Sequence, residues 1–220
     1  MTMFLSPTTL LIKDISKLSI LLLAAIFLII SMNTVDSNAI SAVRSQEEGQ
    51  KLIALTFDDG PHGTLTPQLL DILKTKNAKA TFFVMGIKVE KHKGIIERAQ
   101  SEGHEIANHV WDHPVLTKIS FDRVYDQLLR TNNVIQSILS VAPKTMRPPY
   151  GNTNPKLNKY IEEKGNLSVI MWSLDTQDWK RPEPQTIIDL TMKKVKVGDI
   201  ILCHDIHPGT IKVSKIKIAL

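Results

Sequence analysis

The sequence predicts one α/β domain, built as a parallel sheet with helices packed outside it. Three observations carry this. From Lys51 onward, short apolar runs alternate with amphipathic ones. The apolar runs are bounded by turn residues, as strands are, and the stretches between them have helical periodicity. The 220 residues are 43% hydrophobic and 22% charged, enough for one full-sized core. Strand–helix alternation implies parallel strands joined by crossover helices, in a sheet either open or closed into a barrel.

The predicted strands are Leu52–Phe57, Ala80–Met85, Glu105–Ala107, Thr145–Arg147, Ser168–Leu174 and Asp199–His204. Helix starts are marked by caps. Thr66-Pro67 reads as a cap with proline in the first turn, leading into Leu69, Leu70, Ile72 and Leu73. Ser120 opens a long helix with Phe121, Val124, Leu128, Ile135 and Ile138 on one face. Asn154-Pro155 repeats the cap signal, and Gly165 follows that helix. A last clear helix starts near Pro184 and stops before Gly198. There is no internal repeat and no low-complexity tract.

The N-terminal segment has a different character. Lys13 and Lys17 precede the apolar stretch Leu18–Met32, and "DSNA" then offers small residues for cleavage after Ala39. Residues 1–39 read as a signal peptide or a signal anchor, and residues 40–50 as a polar linker. The domain, residues 51–220, is then expected outside the membrane: secreted, or on the cell-wall side and tethered only by that N-terminal segment. The net charge of +5 comes from scattered lysines, such as Lys74, Lys79, Lys88 and Lys93, not from a basic patch interleaved with aromatics, so no nucleic-acid partner is expected. The single cysteine, Cys203, allows no intrachain disulfide.

In open and barrel α/β folds the site lies at the carboxyl ends of the strands. The unusual polar residues fall there. Asp58-Asp59 ends the first strand and His109 and His113 follow the third. Arg147 ends the fourth, Asp175 and Asp178 follow the fifth, and His204 ends the sixth. Adjacent carboxylates repel unless water or a cation separates them. Two histidines four apart with one carboxylate make a three-ligand divalent-metal set that leaves a position for water. One aspartate would ligate and the other would accept a proton. On an extended backbone neighbouring side chains point apart, so one would face the metal and its neighbour the substrate. Strand alternation puts Leu202 and His204 on the pocket face and Cys203 on the opposite, helix-covered face, against a rival reading of Cys203 as nucleophile. Arg147 beside the Pro-Pro turn would pair with a carboxylate. Trp179 would line an apolar pocket or pack on a sugar. His62, His92 and His104 read as surface residues, and His207 as a loop residue.

The motifs "TFDDGP", "HVWDH", "RPPYG", "DTQDW" and "LCH" occur in that order. In this the chain resembles the polysaccharide deacetylases, the carbohydrate esterase family 4 or NodB homology domain, from about Lys51 to the C-terminus. The resemblance implies a distorted, incomplete (β/α) barrel and metal-dependent removal of acetyl groups from chitin, chitooligosaccharides, peptidoglycan or related glycans. It implies Asp58 as general base, oriented by Arg147, and Asp59, His109 and His113 as ligands of one divalent ion, zinc above cobalt or others. It implies that the Tyr150 amide helps hold the oxyanion, that His204, tuned by Asp178, protonates the departing amine, and that Trp179 and Leu202 line the acetyl pocket. Relatives continue further after "HDIHPGT", so the C-terminal closing element is expected to be missing here, with "IKVSKIKIAL" ambiguous between helix and strand. The competing expectations are a catalytically inactive glycan-binding homologue and a hydrolase of small cyclic amides.

Overall fold

The structure is a computed structural model, and it describes residues 52–217. The expected signal segment and linker lie outside the described residues. No helix among the described residues is long and apolar enough to cross a membrane.

Seven strands form one sheet: β1 (Ala54–Asp58), β2 (Thr81–Val84), β3 (Glu105–Asn108), β4 (Thr145–Met146), β5 (Ser168–Val169), β6 (Leu174–Asp175) and β7 (Ile200–His204). The helices are α1 (Leu65–Thr75), α2 (Gly86–Lys91), α3 (Lys93–Ser101), α4 (Phe121–Leu139), α5 (Pro155–Gly165), α6 (Pro184–Lys194) and α7 (Pro208–Lys217). Every strand pair is parallel, in the order β5-β4-β3-β2-β1-β7-β6. Register aligns the carboxyl ends: Asp58 sits opposite both Phe83 and His204, and Asn108 opposite Val84 and Met146. The polar residues that end or follow these strands therefore share one rim.

The predicted strand Ser168–Leu174 is two strands, not one. Its first two residues pair with β4, and its last residue, Leu174, begins β6, which pairs with β7 at the other edge. A flat sheet of this width would put its edges about 29 Å apart. The step from Val169 to Leu174 spans at most about 18 Å. The sheet must therefore curl, and the result is a partial barrel. Among the described residues β5 and β6 do not pair, so the barrel stays open.

Two apolar layers clothe the sheet. Phe57, Phe82, Leu69, Leu70, Leu73, Ile96 and Cys203 pack between the sheet and α1 and α3, with Phe57 and Phe82 stacked at 5.4 Å between ring centroids. Val124, Leu128, Met146, Leu157 and Ile161 form a second cluster under α4 and α5. Cys203 lies in the first layer, on the helix side, and burial pushes its thiol pKa well up, which removes it as a nucleophile.

The caps at Ser120 and Asn154 are present: each side chain accepts from a backbone N–H three residues on, Arg123 at 3.4 Å and Leu157 at 2.9 Å. Thr66 is not a cap. It lies inside the first turn of α1, and its hydroxyl donates to the buried Asp205 at 2.5 Å while accepting from the His62 N–H. His104 is not on the surface. It is buried edge-on to Phe82, and its Nδ1 accepts from the Ala80 N–H at 3.2 Å. The ambiguous C-terminal stretch is helical as far as Lys217, and α7 packs on α1 and α6 with Ile211 buried in the first layer.

Replacing Phe82 by alanine should cost about 3–5 kcal/mol of unfolding free energy, from lost transfer energy and the cavity left behind. Asn154→Ala should cost about 1 kcal/mol, the usual worth of a helix cap. Urea midpoints that fall in this ratio with unchanged slopes would support both assignments.

Candidate active site

A cavity of about 400 Å³ opens at the rim and is lined by Asp58, Asp59, His109, His113, Tyr150, Trp172, Asp175, Trp179, Leu202 and His204. Arg147 and Asp178 are fully buried behind it. The ten residues named from sequence are thus gathered around one space.

Asp59 follows β1, and His109 and His113 stand on the loop after β3. Asp59 does not continue the extended strand: its φ is 73°, a left-handed conformation that costs a non-glycine residue energy. Lys88 Nζ donates to the Asp59 carbonyl at 2.7 Å and pins that turn. Neighbouring carboxylates on an extended chain would point apart, as expected from sequence. The left-handed turn instead brings both Asp58 and Asp59 to the same cavity.

Asp59 Oδ1 lies 3.3 Å from His109 Nε2 and 3.1 Å from His113 Nε2, and the two Nε2 atoms are 3.2 Å apart. His109 Nδ1 is 2.7 Å from the Arg147 carbonyl, which can only accept. Nδ1 therefore carries a proton, and in the neutral ring Nε2 turns a lone pair to the centre. Asp59 Oδ1 is buried with no hydrogen-bond partner. Burial alone would push the Asp59 pKa up, but the close approach of His109 and His113 outweighs it and holds the carboxyl well below its usual range. Three convergent lone pairs repel unless a positive charge sits among them. A His₂-carboxylate set of this chemistry fits a divalent cation.

Asp58 Oδ2 lies 4.0 Å from His109 Nε2. Arg147 Nη1 donates to Asp58 Oδ1 and to the Thr56 hydroxyl, both at 2.7 Å, and Nε donates to the Ile170 carbonyl at 3.1 Å. The guanidinium also lies 4.1 Å from the centroid of the Phe83 ring. Burial raises the Asp58 pKa, and the neighbouring His109, Arg147 and His204 only partly offset it. A carboxylate raised in this way is a better proton acceptor than an ordinary aspartate.

His204 ends β7 across the cavity. Its Nδ1 is 2.7 Å from Asp178 Oδ1, its backbone N–H donates to Asp178 Oδ2 at 2.7 Å, and the Thr210 hydroxyl donates to the same oxygen at 2.5 Å. Burial disfavours the imidazolium, but the hydrogen bond and charge of Asp178, with Asp58 and Asp59 beyond, push the His204 pKa up to about 9. Nε2 is left facing the cavity side of the ring. His207 is half-buried with its ring centroid 5.7 Å from that of His204, and it does not line the cavity.

Tyr150, 67% exposed, stands at the mouth with its ring edge-on to His113 at 4.5 Å. Trp179 forms part of the opposite wall, its indole N–H donating to Asp175 Oδ2 at 3.2 Å. Leu202 is buried in the cavity wall. Sequence reasoning missed Trp172 as a lining residue and left Asp175 without a role. The signal for Trp172 was hidden in the segment read as one strand. That segment crosses between the sheet edges and places the Trp172 ring against Gly151, whose φ of 62° and lack of a Cβ admit it: a Cβ there would meet Trp172 at 2.5 Å.

Arg147→Met should destabilise the fold by about 3–5 kcal/mol, because it strands the buried Asp58 carboxylate. In an Asp58→Asn background the same change should cost clearly less. Urea denaturation of the four proteins measures the coupling, and strictly additive effects would show that the two groups do not depend on each other.

A family model described as polysaccharide deacetylase matches residues 45–169. The peptidoglycan N-acetylglucosamine deacetylase PgdA of Listeria monocytogenes is 45% identical over 160 residues, 73% of this chain and 34% of that protein. The chain thus spans about a third of the length of PgdA. A chitooligosaccharide deacetylase of Bradyrhizobium is 37% identical, and the match covers 73% of each chain. The solved structure of the peptidoglycan deacetylase PdaC from Bacillus subtilis superposes with a TM-score of 0.72 at 38% identity, covering 76% of this chain and 81% of that one. The match to the family model over more than half of the chain, with the same fold as a solved relative, means that this chain belongs to the polysaccharide deacetylase family.

Proposed function

We propose that the chain is a metal-dependent hydrolase that removes N-acetyl groups from a polysaccharide containing N-acetylglucosamine, such as peptidoglycan, chitin or a chitooligosaccharide, and releases acetate. The observation that carries this is the order of groups around one cavity. Along the rim, the two histidines of a three-ligand cation site follow β3, a buried carboxylate held by Arg147 ends β1 beside Asp59, and an imidazole held by Asp178 ends the adjacent β7. The names of the relatives point to peptidoglycan and chitooligosaccharide as the substrate classes.

A divalent cation held by Asp59, His109 and His113, zinc by preference for this donor set, would polarise an acetyl carbonyl and lower the pKa of a bound water towards roughly 7. The chain's own groups do the rest. Asp58, turned by Arg147, takes a proton from the attacking water. The Tyr150 amide adds a donor where negative charge grows on the carbonyl oxygen. His204, charged at neutral pH, gives its proton to the departing nitrogen, and Asp178 keeps the ring oriented and the charge compensated. Trp172, Trp179 and Leu202 wall the space beside the acetyl group. The enzyme would act outside the membrane, where such glycans lie. The support for that placement is the lysine-flanked apolar segment Leu18–Met32.

An inactive glycan-binding protein would have no use for a buried Asp58–Arg147 pair or for a histidine held charged by Asp178. Acetate release from oligomers of N-acetylglucosamine should therefore be detectable, be abolished by a chelator and be restored by zinc or cobalt. Asp58→Asn should lower kcat by about 10²–10⁴, the usual worth of a positioned base. Equal rates in the variant and the unaltered protein would sink the enzymatic reading.

The pH dependence follows from His204. The acid must be protonated to act, and it stays so below its raised pKa of about 9. Activity should fall as pH rises through about 9. In Asp178→Asn the main stabiliser of the imidazolium is gone, so the alkaline limb should move to lower pH. A kcat profile whose alkaline limb is unmoved by this variant would assign the acid to another group.

A further inference from the structure

The loop from Asn108 to Pro114 carries both histidine ligands, yet its backbone is one that these residues do not favour. Val110 has φ 56° and His113 has φ 66°. A positive φ is costly for any residue with a Cβ, and most of all for a β-branched one such as Val110. A strained backbone persists only where its surroundings over-determine it. Here the surroundings are polar, buried and supplied by α4. Gln127, 4% exposed, accepts through Oε1 from the N–H groups of Trp111 at 2.9 Å and Asp112 at 3.2 Å. Its Nε2 donates to Asp112 Oδ1 at 2.8 Å. One glutamine side chain thus makes three hydrogen bonds to the turn between the two histidines. Asn108 completes the frame. Its Oδ1 accepts from the Val110 N–H at 2.7 Å, and its Nδ2 donates to the Leu128 carbonyl and to Asn132 Oδ1 on α4. On the other side, the first two N–H groups of α2, Gly86 and Ile87, donate to the carbonyls of Val110 and Trp111.

We infer that Gln127 is a positioning residue for the cation site: it holds the left-handed loop that sets the spacing of His109 and His113, and so governs how tightly the site takes up a divalent ion. The side-chain hydrogen bonds of Gln127 go to Trp111 and Asp112, not to either ligand ring. It acts through the peptide groups of Trp111 and Asp112, which lie between them. Without it the loop can relax at Val110 and His113, and the two Nε2 atoms lose their fixed separation of 3.2 Å. The inference rests on the reading of Asp59, His109 and His113 as a metal site.

The test is zinc affinity of the metal-free protein, measured by competition with a chromogenic chelator and independent of activity. Gln127→Leu keeps the volume and removes all three bonds. Its affinity should fall about 10- to 100-fold, the usual cost of losing a group that orients metal ligands. Thr131→Val is the control, since the Thr131 hydroxyl donates only within its own helix, to the Gln127 carbonyl at 3.0 Å. It should leave affinity unchanged whatever it does to stability. Asp112→Ala, at an exposed position, removes one of the three bonds and should give a smaller loss of the same sign, a readout that holds even if Gln127→Leu does not fold. Gln127→Glu alone sets two carboxylates against each other and should lose affinity. Combined with Asp112→Asn, it exchanges donor and acceptor ends of the same bond and should recover most of it. Unaltered affinity in Gln127→Leu or in Asp112→Ala, or an equal loss in Thr131→Val, overturns the inference. No zinc uptake by the unaltered protein overturns the metal reading itself.

Discussion

Arg147 reaches both halves of the site at once. Its guanidinium donates to Asp58 and Thr56 on β1, and its backbone carbonyl fixes the tautomer of His109. Asp58 and His109, the proposed proton acceptor and one of the proposed metal ligands, are thus tied to one fully buried residue. A buried carboxylate with no such partner would be neutral, and an imidazole with no such acceptor could turn either nitrogen inward. The arrangement has a cost. Burial lowers the Arg147 pKa and raises that of Asp58, so each needs the other to stay charged. The aromatic faces of Phe83 and Trp172 lie 4.1 Å and 5.7 Å from the guanidinium and supply part of the solvation that water would.

The sheet makes that contact possible. Parallel register ends β1 and β7 at the same height, so Asp58 and His204 face each other at the rim. The second half of the polarity comes from the opposite edge. The chain passes from β5 to β6 within a few residues, and that crossing carries Ile170, whose carbonyl accepts from Arg147, and Trp172, which lines the cavity. Curling of the sheet is therefore more than architecture: it closes the back of the site. The two charged pairs divide the labour by environment. Burial leaves Asp58 a carboxylate of raised pKa beside Arg147, while Asp178 holds His204 as a cation, so the proposed base and acid coexist on adjacent strands.

Much of the site was legible because its chemistry is local in the chain. Asp58-Asp59, His109 with His113, and His204 stand out as polar residues at the ends of apolar runs, and the structure does gather them. Legibility failed where a residue's place depends on distant partners. Ser168–Leu174 has the composition of one strand, but its two ends pair with different neighbours. Thr66 has the form of a cap, but Asp205, far along the chain, captures its hydroxyl. His104 is polar in sequence and buried in space, because the Ala80 N–H needs an acceptor there. Gln127 carries no signal at all beyond its position on the inward face of α4.

By itself, the sequence determined which elements form and which functional groups stand at their ends, because apolar periodicity and strand termination are short-range properties of the chain. It also determined the order of the motifs, and with it the family. Only the tertiary structure decided how those groups confront one another. The left-handed turn at Asp59 that sets both carboxylates into one cavity, the burial of Arg147, and the hold of α4 on the histidine loop arise from contacts across the fold. Their energies come from desolvation and from hydrogen bonds between residues far apart in the chain, and no local pattern encodes these.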